Sequence, residues 1–278
     1  VRWSASRSLS TAVDLGLLEE LDLLLDRFDV HEVQALASTD RSLPFQNSRE
    51  WLLIGIARAA KRHGSNLAFL RPKLLALAQR DDVHVMHKVH IARCLENIGN
   101  RDGPDSALAL LRAQIDTPPN GTVRTDQWPA HAKATSGFSF DYEFKKTEID
   151  GLARLFGLAP GAVVDLLASE IVAQWPDAKD MSYFPGQDRY RRDNEDRYEY
   201  FREHVQKHAL FGAATKLLAS HPIVARTYDY ESDQWREWRD RYDITFDAGS
   251  WLSDSKDDTP RCAFENFLGP REGANASL

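Results

Sequence analysis

Three histidines, His84, His87 and His90, follow one another at three-residue intervals, and a second set, His204 and His208, is separated by four. Such steps bring side chains onto one face of a helix, where two imidazoles can share a metal ion. At about 100° per residue the third member of the first set drifts roughly 60° from the first. Neither set carries the rest of a hydrolase signature. No glutamate follows His84 in the zinc-hydrolase arrangement, and Val205-Gln206-Lys207 lacks the general base of HExxH. Glu203 precedes His204 and is placed to orient it. The expectation is that both sets are packed or surface histidines, so no metal, cofactor or catalytic residue is assigned.

Two further groups carry chemistry of other kinds. Arg189, Arg191, Arg192, Arg197 and Arg202 are interleaved with Tyr190, Tyr198, Tyr200 and Phe201, a mixture that can stack bases and grip phosphates. Asp188, Asp193, Glu195, Asp196, Glu199 and Glu203 offset those cations, which favours a salt-bridged, solvated helix over a nucleic-acid surface. Tyr228, Tyr230, Trp235, Trp238, Tyr242 and Trp251 form an aromatic region that fits a recognition surface or a small core, and the core reading is preferred. No GxxxxGK[ST] phosphate loop, no GxGxxG after a strand and no GxSxG elbow occurs.

The elements that must position these residues read as consecutive helices. Ser10-Thr11 caps one running through Leu15, Leu18, Leu21, Leu24, Leu25 and Phe28. His31 to Ala37 reads as a short helix, and Ser48 opens another that exits through Lys61, Arg62, His63 and Gly64, cations and a glycine meeting free carbonyls. Further helices are predicted from Leu67 to Gln79, Val83 to Ile98 and Ser106 to Ile115. Phe138 to Phe144 alternates apolar and polar residues and predicts an extended segment with one buried face. Helices follow over Lys146 to Phe156, Pro160 to Trp175, Arg189 to His221 (as one or two) and Ser232 to Tyr242.

Asp81 to Leu95 resembles the second helix of a HEAT-type repeat, a likeness covering roughly Leu67 to Gly99. The expected class is mainly α, with little or no strand. The expected organisation is a HEAT-like array over residues 1–116, a linker over 117–137 around Pro118-Pro119-Asn120-Gly121, an α-rich unit over 138–268 and a flexible tail over 269–278.

Composition narrows the partners. A net charge of −7 and a pI near 5.7 do not favour a polyanion. No run approaches the roughly 18 apolar residues of a membrane span. Cys94 and Cys262 support neither a disulfide framework nor a cysteine-based zinc site and fit a reducing compartment, with cytoplasm as the default. The start at Val1 and the Gly/Pro/Ala/Asn-rich end predict an excised or a processed piece.

Phe138 to Phe144, Leu152 to Leu158, His208 to Ala214, Trp235 to Trp238 and Ser250 to Asp254 resemble the helical region after the ATPase core of large bacterial STAND-type NTPases, some of which act in antiviral defence. The resemblance implies a sensor or scaffold whose nucleotide site lies elsewhere in the full protein, and it transfers no catalytic residue. The expected function is a non-catalytic scaffold or recognition module docking a protein partner or other domains of its parent. A metal-dependent enzyme using the histidine pairs and a nucleic-acid-binding helical module are the alternatives.

Overall fold

Gly16 decides how the chain begins. Its backbone is left-handed (φ 79°), and the Gly16 and Leu17 N–H groups donate to the Val13 and Ala12 carbonyls, which closes a helix in a Schellman turn. The single helix expected from Ser10 to Phe28 is therefore two, α1 (Arg2–Asp14) and α2 (Leu18–Asp26). Leu15 lies at the break and is 69% exposed, whereas Val13, Leu21, Leu25 and Phe28 face inward. The computed structural model describes residues 2–28, 45–99, 105–127, 129, 132–174, 178, 201–225 and 233–243. The chain divides into two units, Val1–Asp243 and Ile244–Leu278, and the described residues all belong to the first.

Helices dominate these residues, as the apolar spacing predicts. Along α3 (Phe45–His63), Leu53, Ile56, Ala57 and Ala60 recur at helical steps and are buried. A 3₁₀ turn (Gly64–Leu70) leads into α4 (Arg71–Ala78), where one α-helix from Leu67 to Gln79 was expected. Then come α5 (Val85–Ile98) and α6 (Ser106–Asp116), the latter capped by Asp105, whose carboxylate accepts the Leu108 N–H at 3.0 Å. α3 packs between α1 and α5, and α5 also meets α4 and α6.

Gly64 sits where α3 meets α5. A Cβ on it would stand 2.1 Å from the Asn97 carbonyl oxygen, a backbone atom that cannot swing aside. Gly64→Ala should cost about 1–3 kcal/mol, read as a lower urea midpoint with unchanged m-value.

Residues 117–137, read from sequence as a linker, contain β1 (Thr122–Arg124). It pairs in parallel with β2 (Ile223–Ala225), Val123 opposite Val224. The extended segment expected over Phe138 to Phe144 stops early. Phe140 is buried and stacks on Phe144 at 5.4 Å, but the Asp141 carboxylate accepts the Phe144 N–H and opens a helix at once. That helix runs as α7 (Tyr142–Phe144), a π segment (Lys145–Ile149) and α8 (Asp150–Leu155), and leaves Tyr142 67% exposed.

α9 (Pro160–Gln174) buries Val163, Val164, Leu167 and Ile171 and lies against α10 (Phe201–Ser220), which in turn reaches α5. α11 (Gln234–Tyr242) is pinned by its Trp235 indole N–H, which donates to the Ile115 carbonyl at 2.7 Å. The helix expected at His31 to Ala37, the Arg/Tyr stretch 188–200, Tyr228, Tyr230, Trp251 and the tail fall outside the described residues. No single helix among those described is long and apolar enough to cross a membrane.

Candidate functional site

The start of α5 arranges the first two histidines. The sequence predicts a helix opening at Val83 that carries His84, His87 and His90, but the helix begins at Val85 and His84 is its N-cap. In that extended conformation (ψ 163°) the His84 Nδ1 accepts the His87 N–H at 3.2 Å, serving as asparagine or serine does at other N-termini. The ring folds back over His87, and the two imidazoles stack with centroids 3.6 Å apart.

α10 supplies the third member. Its inner face carries Val205, His208, Ala209 and Phe211, all buried. His208 Nδ1 stands 3.0 Å from His84 Nε2, joining residues 124 positions apart. One ring nitrogen from each of His84, His87 and His208 lies within 4.8 Å of the others, an arrangement able to hold a metal ion. Phe211 meets His84 and His208 edge-on, and Phe28 does the same to His87. The site is sealed: His84 is 4% exposed, His87 0% and His208 1%.

Beside it lies a buried carboxylate. Glu50 on α3 is fully enclosed and receives the Lys207 ammonium at 3.1 and 3.2 Å. His90 Nε2 and His208 Nε2 each approach one of its oxygens to 3.8 Å. Burial alone would raise the Glu50 pKa, but His90, the Lys207 charge and His208 hold it well below the usual carboxylate range. Burial, reinforced by the neighbouring imidazoles and by a nearby cation (Lys207 for His84 and His208, Arg49 for His87), pushes all three rings well below the usual histidine range against the opposing pull of Glu50. Three neutral rings therefore face an ionised acid.

Neutral rings have assignable protons. His84 Nδ1 accepts from backbone, so its proton is on Nε2 and is donated to His208 Nδ1. His208 then carries its own proton on Nε2, the atom nearest Glu50. His87 Nε2 lies 3.1 Å from the Gln46 carbonyl, which accepts only from an N–H, so the His87 lone pair is on Nδ1. That nitrogen is buried without a hydrogen-bond partner among the described residues.

The structure thus brings together two residues of the first histidine set and one of the second, and leaves the others aside. His90 is buried next to Glu50, and His204 is half-buried outside the three-histidine group. Glu203 is exposed. Trp235 and Trp238 stack at 5.3 Å, with Tyr242 4.9 Å from Trp238, and both tryptophans are buried, so these described members of the aromatic group are core. Cys94 is a core residue too, its buried thiol held protonated beside the Leu53 carbonyl. Glu50 is the residue that sequence reasoning passed over. Its signal is positional, three and four residues before the buried Leu53 and Ile54, on the apolar face of α3.

A separate cleft of about 570 Å³ opens to solvent between β2, α8 and α11. Arg154, Glu237, Trp238 and Arg241 line it, and the Trp238 indole N–H has no hydrogen-bond partner among the described residues. No protein-family model, curated protein or solved structure matches the chain.

Proposed function

We propose that this chain is a non-catalytic helical recognition module of a larger protein. The observation that supports this is the sealing of its reactive side chains: His84, His87, His90, His208 and Glu50 are between 0 and 4% exposed. A general base or nucleophile must reach a substrate atom at about 3 Å, and these groups are walled off by Phe28 and Phe211. What meets solvent instead is the mixed-charge cleft lined by Arg154, Glu237 and Arg241, with the buried Trp238 at its floor.

The HEAT-like likeness of the α4–α5 region and the STAND-type resemblance extend the reading. Stacked helices would present a surface to a protein target, and an ATPase elsewhere in the parent would receive the signal. The purified chain should neither bind nor hydrolyse ATP, while the coding sequence around it should specify a phosphate-binding loop. Turnover by the chain itself, abolished by changing His208, would instead establish the metal-enzyme alternative.

A further inference from the structure

We infer that His84, His87 and His208 form a binding site for one divalent transition metal of the zinc type, closed from solvent and bridging α5 to α10. Beyond any role in recognition, such an ion would lock the two helices to each other. Imidazole nitrogen is a preferred donor for zinc, and three such rings supply three of the four positions that the ion ordinarily fills.

Spacing is the first argument. Zinc–nitrogen bonds of about 2.1 Å in a tetrahedron set neighbouring donors roughly 3.4 Å apart. His84 Nε2 and His208 Nδ1 already stand 3.0 Å apart, and the whole donor set lies within 4.8 Å. Closing the set needs the His87 ring, now stacked on His84, to turn about its side-chain torsions until its Nδ1 lone pair points at the same centre.

The outer partners are the second. A histidine that binds metal through one nitrogen generally donates its other N–H to a carbonyl or carboxylate, which fixes the tautomer. His87 does so already, with Nε2–H on the Gln46 carbonyl and an unpartnered buried lone pair on Nδ1. His208 keeps Nδ1 toward His84 and Nε2 toward Glu50, whose negative charge would offset part of the ion's. A buried lone pair without a donor is costly, and a metal satisfies it.

His84 must change most. To bind through Nε2 it moves its proton to Nδ1 and gives up the capping bond from the His87 N–H, staying neutral with no proton released. Metal thereby replaces two hydrogen bonds, the cap and the His84–His208 contact, with three coordinate bonds. Nothing is oxidised or reduced, which suits an ion without redox chemistry.

The untagged chain, freed of metal by chelator, should be titrated with Co²⁺ as a visible stand-in and then with Zn²⁺. The expected result is one ion per chain, intense tetrahedral absorption that zinc removes, and a melting midpoint raised by about 5 °C or more at metal 100-fold above Kd. His208→Gln and His87→Gln should each weaken binding by more than the roughly 10–100-fold typical of outer-partner changes. His63→Gln, a partly exposed histidine paired with Asp14, should leave it unchanged. Absence of stoichiometric binding by the wild-type chain overturns the proposal whether or not the variants fold. Undiminished binding by a folded His208→Gln chain overturns it equally.

Discussion

Lowering the pH from 7.5 to 5.5 in the presence of chelator should remove up to about 4 kcal/mol of folding stability. His84, His87 and His208 are held neutral in the folded state, chiefly by burial, with pKa values well below the 6.5 of a free histidine. The unfolded chain then binds more protons than the folded one throughout this window, so stability falls as the solution is acidified. It is fully present above pH 6.5 and is lost progressively as pH drops toward the folded values, at up to about 1.4 kcal/mol per histidine per pH unit.

Glu50 is shifted in the same direction but is held charged rather than neutral. Its pKa is lowered, so its contribution persists until pH falls below the ordinary carboxylate value, outside this window. Arg49, His90, His204 and Lys207 are the other charged or titratable groups that act on the rings. Urea melts at half-unit pH steps provide the measurement. A stability that stays flat between pH 7.5 and 5.5 would refute the neutral-ring assignment, and a His208→Leu variant should show about two-thirds of the wild-type slope.

Lys207→Met should destabilise the fold more than Glu50→Gln does. Removing the ammonium strands a carboxylate that is fully enclosed, at a cost near the lower end of the roughly 3–5 kcal/mol for an unpaired buried charge. Removing the carboxylate instead leaves a lysine whose side chain is already 31% exposed and can turn to water, a loss of about 1–2 kcal/mol. Parallel denaturant melts of the two variants at pH 7.5 decide the matter. Equal losses, or the reverse order, would mean that Lys207 does not neutralise Glu50.

Much of the helical architecture is legible in local sequence, because caps and apolar steps are local. Asp105 and Asp233 announce α6 and α11, and Pro160 opens α9. Where local preferences compete, the outcome is less legible: Gly16 outweighs the leucine stripe that crosses it, and Asp141 turns an alternating segment into a helix. The candidate site was half visible. Both histidine sets can be recognised by spacing, and each alone looks incomplete. Their convergence depends on α10 docking against α5, and nothing near His84 encodes the approach of a residue 124 positions later. The N-cap role of His84 hides for a related reason, since histidine is a poor predictor of helix starts and spacing alone would extend the helix through it.

The length of chain between His84 and His208 has a consequence for synthesis. A ribosome adds roughly 5–20 residues each second, so α5 must wait on the order of 6–25 s for its α10 partner to be made. During that interval the nascent histidines face water and take up protons or ions as freely as any peptide. Docking of α10 is the step that dries them, which makes its arrival the moment when this part of the interior is decided.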